Sequence, residues 1–484
     1  MDIQVAIDEA RFTRFHKKLV AACMGGPILD GYILSIIAIA LIGISADFNT
    51  SALETSLIGA SALVGIFLGA VFLGPLTDRI GRQLMYTIDL WVLVIGSVLQ
   101  FFVQDPTQLI IARFIMGLAI GADYPIANSL LAEWLPRKRR GQMLGVLQVG
   151  WFIGAALASL VGYAMFELFG GESWRWMLVS SAFLGAIVLL VRLGTPESPR
   201  WLLHHGRTKE AKASLRAALA DQLSVEHLVF ESEAKPATET GKVNLRVLLQ
   251  RPYLKRIIFC SGFYTLQVGP LFAIYTFGPT ILASFGLGHG NASNLGSVVI
   301  DLVFLAGCIP ALKLIETWGR RPLIIWCFAL MAIPLFILGF APSAPVGVII
   351  ACFCAYALFS GGPSILEWAY PSELFPTNVR ASAVGITTAA SRIGAALGTF
   401  GLPFAIDAWG IGPTMVIAAV VTAAGFFLCL FLAEETRGMT LAQAGGEPTT
   451  QPGGEPTAQP GGEPTAQPGG EPTAEEKAPV RETV

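Results

Sequence analysis

Residues 131–141 read LAEWLPRKRRG, and residues 370–380 read YPSELFPTNVR. The two segments share a glutamate, a proline and an arginine at equal spacing: Glu133, Pro136 and Arg140 in the first, and Glu373, Pro376 and Arg380 in the second. The pentapeptide IGAAL likewise occurs at 153–157 and again at 393–397, with the same offset of 240 residues. These matches indicate that the chain consists of two copies of one duplicated unit.

The composition places the duplicated unit in a membrane. Of the 484 residues, 54% are hydrophobic and only 14% are charged, whereas soluble proteins average about 25% charged residues. A helix needs about 20 apolar residues to cross the hydrocarbon layer. Twelve stretches meet this requirement approximately, at 19–43, 55–76, 84–103, 107–131, 141–166, 175–194, 256–284, 294–315, 322–341, 346–370, 380–406 and 411–433. The predicted fold is an all-α membrane protein of two pseudo-symmetric six-helix bundles.

The charges of the connecting loops alternate and predict the orientation. One set of loops is cationic and contains Arg79, Arg82, Arg137, Lys138, Arg139, Arg140, Arg320, Arg321 and Arg380, whereas the opposite set has no lysine or arginine. Because cationic loops stay on the cytoplasmic side, we expect both termini to be cytoplasmic. The short loops resemble those of bacterial inner membrane proteins, and this resemblance implies the same location. A net charge of −2 gives no indication of nucleic acid as a partner.

Five segments follow from these spans. We predict a cytoplasmic N-terminus at 1–18, one bundle at 19–194, a cytoplasmic linker at 195–255 with a short amphipathic helix, and the second bundle at 256–433. The tail at 434–484 repeats GGEPTAQP-like octapeptides. Proline and glycine break helices and the repeats contain almost nothing to bury, so we expect this tail to be disordered.

Several motifs resemble the major facilitator superfamily over essentially all of residues 11–440. G-x-x-x-D-R-x-G-R is present from Gly74 to Arg82. PESPRWL at 196–202, SELFPTNVR at 372–380 and EETRGMTL at 434–441 look like the sugar-porter and metabolite-symporter branch. The resemblance implies two six-helix halves that alternate access to a site near the middle of the membrane.

In such proteins, acid–base ties at the cytoplasmic helix ends hold one conformation and break in the other. The residues predicted for this latch are Asp78, Arg79, Arg82, Glu133, Arg140, Glu197, Arg200, Glu316, Arg320, Arg321, Glu373 and Arg380. Charge-assisted hydrogen bonds between carboxylates and guanidinium groups suit this role. The alternative is that the basic residues only anchor the orientation.

Seven charged residues lie more than two residues from either end of the predicted spans, namely Asp30, Asp89, Arg113, Asp123, Asp301, Glu367 and Arg392. Each costs about 2.5–3.5 kcal/mol at the centre of a span unless it is paired or hydrated. The duplication does not repeat them, since Asp30 aligns with Ala273 and Asp123 with Pro363. This asymmetry indicates that the charges belong to a site. Asp89 is about one turn from a helix end, where we expect it to reach water.

The resemblance assigns proton coupling to three of these residues. Asp30, in LDGY, is similar to the first-span aspartate of sugar–proton symporters, and Arg113 matches the span-four arginine that pairs with it. A static buried ion pair is the alternative. Asp123, in GADYP, resembles an aspartate of phosphate–proton symporters, which implies a second proton site or a substrate acceptor. A structural acid that pairs with a neighbouring helix is the alternative.

The same resemblance indicates residues of a substrate pocket. Arg392 resembles the span-eleven arginine of organic-anion carriers, and a planar guanidinium suits a carboxylate or phosphate; structural pairing with Glu367 or Asp301 is the alternative. Gln148 matches a glutamine that contacts sugar hydroxyls, and its alternative role is an interhelical hydrogen bond. The further predicted pocket residues are Trp368, Tyr32, Gln267, Tyr275, Asp301 and Glu367.

We therefore predict a proton-coupled symporter of a small organic metabolite, favouring an organic anion. A phosphate or sugar symporter, proton-driven efflux, and a nutrient sensor that no longer transports remain alternatives. An enzyme is not expected, because all five histidines lie outside the predicted spans and no nucleophile–base or metal-ligand spacing is present. We expect no cofactor or metal, a lipid bilayer around the protein, and a monomer.

Overall fold

The structure is a computed structural model. It describes residues 11–80, 82–192, 197, 202, 206–219, 248, 250–251, 253–288, 291–375, 379–439 and 444–445. Within these ranges, only the backbone is described at 74–80, 82–83, 124–130, 132–133, 137–142, 217–219 and 380–381. Residues 1–10 of the predicted N-terminus, and most of the predicted linker and tail, lie outside these residues.

The described residues form twelve long helices and one short one. They are α1 (Arg14–Phe48), α2 (Ala52–Ile80), α3 (Arg82–Leu99), α4 (Pro106–Trp134), α5 (Arg137–Phe169), α6 (Trp174–Arg192), α7 (Thr208–Leu219), α8 (Tyr253–Leu282), α9 (Ala292–Thr317), α10 (Arg320–Phe340), α11 (Val346–Leu374), α12 (Arg380–Trp409) and α13 (Ile411–Leu432). Each predicted span coincides with one long helix, and α7 lies where a short amphipathic helix was predicted. The all-α prediction is confirmed.

Eleven of the long helices are apolar and long enough to cross a membrane within the part of the chain that the structure describes. The remaining long helix, α4, has 29 residues. Large apolar side chains such as Phe72, Phe183 and Phe340 are 68%, 73% and 76% exposed on the outside of the bundles. Exposed apolar surface of this extent marks a membrane-facing exterior.

Helix packing repeats in the two halves, as the duplication requires. In the first half, α1 packs on α5, α2 on α4, and α3 on α6; in the second half, α8 packs on α12, α9 on α11, and α10 on α13. Small residues permit the closest approaches. A Cβ on Gly31 of α1 would collide with the backbone carbonyl of Trp151 on α5, so glycine here brings the two backbones together beside Asp30.

The two halves meet along two helix pairs, α2 with α12 and α5 with α9. At the end predicted to face outward, Asn291 Nδ2 donates to Glu167 Oε2 at 2.7 Å. Deeper in the same seam, the Ser159 hydroxyl donates to the Asp301 carboxylate. These contacts join α5 and α9 at two depths.

Helix α8 is broken near its outward end. Phe277 leaves helical geometry with φ −119° and ψ 19°, two residues before Pro279. Proline removes a helical hydrogen bond and clashes with the preceding turn, which explains the kink. Non-helical backbone at membrane depth is tolerated where protein covers it, and Phe277 is buried.

Candidate functional site

A small cavity of about 20 Å³ lies at mid-depth between the two halves. Its walls come from α5, α8, α11 and α12, through Gln148, Trp151, Tyr264, Val268, Leu271, Phe272, Glu367 and Arg392. This volume holds about one water molecule, so in this conformation the polar groups converge without leaving room for a substrate. Four predicted pocket residues, Gln148, Trp368, Glu367 and Arg392, lie in or directly behind this wall.

One cation and one acid define the charge of the cavity. Arg392 and Glu367 are only 4% and 5% exposed, and they interact electrostatically. Tyr264 from α8 is hydrogen-bonded to Glu367 and to Ser391. Arg392 Cζ lies 5.7 Å from the ring centroid of Phe272. The guanidinium of Arg392 thus lies between an acidic and an aromatic neighbour, on the wall of this cavity.

Trp368 and Gln148 link the halves at the cavity. Trp368 Nε1 on α11 donates to Gln148 Oε1 on α5 at 2.8 Å. The amide nitrogen of Gln148 remains a donor on the cavity wall, because a glutamine side chain donates and accepts at once. The bond places two of the predicted substrate residues in contact.

Asp30 lies in the middle of α1, fully buried. Neither of its carboxylate oxygens has a hydrogen-bond partner among the described residues. The predicted pairing with Arg113 is wrong for this conformation, because Arg113 Nε donates to the Ile58 carbonyl at 2.9 Å. The apolar sequence around Arg113 does not reveal which face of α4 carries it, and the structure turns it toward α2.

Arg192, at the end of α6, is the functional candidate that the sequence analysis missed. Its guanidinium is 3.8 Å from the Asp123 carboxylate, its Nε donates to the Ala22 carbonyl at 3.1 Å, and it stacks on the Tyr86 ring. Asp30 also interacts electrostatically with it. Arg192 was passed over in the sequence because a basic residue at the predicted cytoplasmic end of a span is already explained by the orientation of the protein in the membrane. The sequence did offer one indication of a buried basic partner, which is the excess of acidic residues over basic residues well inside the first-half spans.

The expectation that Asp89 reaches water is wrong. Asp89 is only 3% exposed, and it interacts electrostatically with Asp30 and Asp123 across the first half. Packing of α3 against α6 and α4 covers the position that distance from the helix end placed near solvent. The first half therefore encloses three interacting carboxyl groups, and two of them, Asp30 and Asp123, lie near Arg192.

The other predicted pocket residues are buried but do not line this cavity. Tyr32 is hydrogen-bonded to Ser180 at 2.5 Å. Gln267 donates to Ser360 and Ser364 at 3.2 and 3.0 Å. These bonds hold both side chains inside their own half.

Tyr275 and Asp301 lie next to the cavity rather than on its wall. The Tyr275 ring is 5.3 Å from the Trp151 ring, between centroids, and Trp151 is itself on the wall. Asp301 accepts from Ser159 in the α5–α9 seam. Asp301 also interacts electrostatically with Tyr275, so the two form one polar group behind Trp151.

Two of the residues predicted for the latch, Arg320 and Glu373, form an ion pair in the second half. Arg320 donates to both carboxylate oxygens of Glu373, at 3.1 and 2.8 Å, and Thr436 donates to Glu373 Oε2 at 2.6 Å. Glu435 accepts from the backbone N–H groups of Arg320 and Arg321, at 3.0 and 3.1 Å. Such charge-assisted, bidentate contacts are the stronger class of hydrogen bond.

The remaining latch residues divide into two groups. Glu316 has no ion pair or hydrogen bond within the described portion of the chain, and Glu197 interacts electrostatically with Arg207. The other predicted latch residues lie outside the described side chains, namely Asp78, Arg79, Arg82, Glu133, Arg140, Arg200 and Arg380.

Glu434 extends the network beyond the predicted latch residues. It pairs with Arg256 at 2.8 Å, and Arg256 also donates to the Leu374 carbonyl at 2.7 Å. The first residues of the predicted tail, 434–437, thus contact α8, α10 and α11. The bundle contacts continue past the predicted boundary at 434.

Comparison with known proteins places this architecture in a family. A match to the family described as "Sugar (and other) transporter" covers residues 18–445, and a match to a "PT disordered repeat" covers 441–478. The putative metabolite transport protein YaaU of Escherichia coli is 40% identical over 436 residues, covering 90% of this chain and 96% of YaaU. The inner membrane metabolite transport protein YgcS of Escherichia coli is 34% identical, covering 91% and 96%.

Solved structures of the xylose transporter XylE from E. coli share the fold. A partially occluded inward-open structure superposes with a TM-score of 0.74 at 21% identity, covering 88% of this chain and 100% of that one. A structure of XylE, the proton:xylose symporter, bound to 6-bromo-6-deoxy-D-glucose gives a TM-score of 0.71 at 22% identity, covering 89% and 98%. The matched proteins are transporters and not enzymes. This chain belongs to the sugar (and other) transporter family and is a multi-pass membrane transporter of the major facilitator superfamily.

Proposed function

We propose that this transporter carries a small organic anion together with protons, by alternating access to the cavity between its halves. The observation that supports this most is Arg392, a buried guanidinium on the wall of a mid-depth cavity. A guanidinium keeps its charge at any accessible pH, and its planar fork matches a carboxylate. A carrier of neutral solutes alone has little use for such a costly group.

Gln148 and Trp368 would shape the binding site. They lie on opposite halves and are already hydrogen-bonded to each other. Any relative movement of the halves would change the contacts of a substrate bound to both residues, which is what alternating access requires. Tyr32, Gln267, Tyr275 and Asp301 are proposed to reach the substrate in other conformations of the cycle, and Glu367 is proposed to act beside Arg392.

The proton site would lie in the first half. Asp30 has a buried carboxyl group without a hydrogen-bond partner among the described residues, and Asp123 and Arg192 lie on the neighbouring helices α4 and α6. A carboxyl group balanced between burial and nearby cations can bind and release a proton as its surroundings change. Arg113 is proposed to join Asp30 when the halves rearrange.

A proton-coupled sugar carrier is the second candidate. XylE is a proton:xylose symporter, and the family description includes sugars. A neutral sugar would engage Gln148 and Trp368 and leave Arg392 with Glu367. The cavity of about 20 Å³ holds about one water molecule and must widen for either solute, so charge rather than size must decide between the two candidates.

The deciding experiment is uptake into proteoliposomes with an imposed pH gradient, acidic outside. Glucuronate and glucose make a matched pair, since they share a hydroxylated ring and differ by a carboxylate. We expect glucuronate to accumulate with the gradient, and glucose and inorganic phosphate to accumulate less. Accumulation of glucose alone would favour the sugar candidate, and uptake that ignores the pH gradient would contradict proton coupling.

Trp368→Phe should weaken binding of the transported solute about five- to tenfold. Phenylalanine keeps the ring but loses the N–H group, so Gln148 Oε1 loses its partner, at a cost of about 1 kcal/mol. Isothermal titration of the purified protein would measure this. Gln148→Ala and the double variant complete a cycle; independent, additive losses would contradict a shared role for the pair.

We further propose that the protein resides as a monomer in a bacterial inner membrane with both termini in the cytoplasm. The inner-membrane name of YgcS supports the location, and the cationic loops support the orientation. In this orientation, the Arg320–Glu373 network would lie at the cytoplasmic end and serve as half of the conformational latch.

A further inference from the structure

We propose that Glu367 is a proton-binding residue of the cavity itself, whose carboxylate and the substrate anion compete for Arg392. This inference rests on the proposed anion site and extends it. It assigns the step that links occupancy of the cavity to proton uptake to Glu367, which lines the cavity, whereas Asp30 is not among the lining residues.

The geometry favours Glu367 as the counter-ion that an anion must displace. Glu367 and Arg392 line the same cavity, from α11 and α12. Glu367 Oε1 has no hydrogen-bond partner among the described residues, although the residue is 95% buried. One cation and one carboxylate therefore line the same small cavity, which must widen before a ligand reaches them.

Other neighbours of Glu367 do not supply a second cation. Tyr264 from α8 is hydrogen-bonded to it, Cys308 from α9 lies within electrostatic range, and α5 contributes the neutral Gln148 and Trp151 to the wall. Asp30 also interacts with Arg392, although its foremost cationic neighbour is Arg192. The described surroundings of Glu367 thus contain Arg392 as the cation and otherwise groups that are neutral or acidic.

Charge balance then dictates the coupling step. The carboxylate of the substrate forms a contact with a guanidinium N–H of Arg392, and it replaces Glu367 as the counter-charge of Arg392. Two anions beside one cation in a buried site would leave a net negative charge without compensation, which is strongly unfavourable. Glu367 therefore binds one proton from the aqueous side. The cavity keeps its net charge, and one proton enters with each anion.

A titration of proton uptake tests this inference. Binding of glucuronate is measured calorimetrically in two buffers of different ionisation enthalpy, which reports the protons bound per ligand. We expect the wild type to take up about one proton per glucuronate and its Kd to rise about tenfold per pH unit above the ionisation of Glu367. Glucose, which leaves Arg392 and Glu367 together, should bind without proton uptake.

Glu367→Gln should abolish this proton uptake, flatten the pH profile and still bind glucuronate. Glu54→Gln makes the same chemical change at the start of α2, where Glu54 bonds to Ser51, and it should retain wild-type proton uptake. Glu367→Asp restores the charge, so it should recover a pH-dependent Kd and controls for loss of folding in the glutamine variant.

Each outcome bears on a different proposal. Glucuronate binding to Glu367→Gln with undiminished proton uptake would overturn the inference and leave the proposed anion site intact. Binding of glucose alone, or of neither probe, by the wild type would overturn the proposed anion site, and the inference would fail with it.

Discussion

Arg392→Ala is expected to weaken glucuronate binding at least 100-fold while changing glucose binding by only a few-fold. Truncating one partner of a buried, hydrogen-bonded charge pair costs about 2–5 kcal/mol, or about 30-fold to several thousand-fold in Kd. The alanine variant also leaves Glu367 buried without its cation, which opposes the entry of a second anion.

Arg392→Lys separates the effect of charge from that of shape at this position. It keeps the positive charge but loses the bidentate fork, so it should bind glucuronate with an affinity between those of the wild type and the alanine variant. Binding is measured by calorimetry, with thermal unfolding as the check on folding. If Arg392→Ala bound glucuronate as tightly as the wild type, Arg392 would be a structural residue and not the group that binds the carboxylate.

Asp30→Asn should lower the steady-state accumulation of glucuronate about tenfold at a gradient of one pH unit. Each proton that moves with the substrate contributes about 1.4 kcal/mol per pH unit, which is a factor of about ten in the accumulation ratio. Asparagine has nearly the shape of aspartic acid but cannot release a proton, so one proton fewer is coupled to each cycle.

Exchange of labelled for unlabelled glucuronate without a gradient provides the control for Asp30→Asn. Exchange needs substrate binding and movement of the halves but no net proton transfer, so it should persist. The membrane potential is held at zero so that only the pH gradient drives accumulation. Undiminished accumulation by Asp30→Asn would exclude Asp30 as a proton carrier, and loss of exchange as well would indicate a structural role.

The helical architecture could be predicted from the sequence because its signals are long-range and additive. Stretches of about 20 apolar residues fix the helices, and equal spacing between repeated motifs fixes the duplication. The packing partners then repeat in both halves, α1 with α5 as α8 with α12.

The site could be predicted only in part. Gln148, Glu367, Trp368 and Arg392 were identified by residue type and position, and the structure brings them together. The partner of Asp30 could not be derived, because a helix that is apolar on all faces gives no indication of its rotation. Arg192 was missed for a related reason, since its position at a helix end already had an explanation.

The contacts of Glu434, Glu435 and Thr436 determine where the chain can be shortened. A deletion that begins directly after Leu432 would remove the acid that pairs with Arg256, the acceptor at the start of α10 and the hydroxyl that bonds to Glu373. A deletion that begins after residue 445 would spare all three. Reporter fusions and purification tags are therefore best attached beyond that residue.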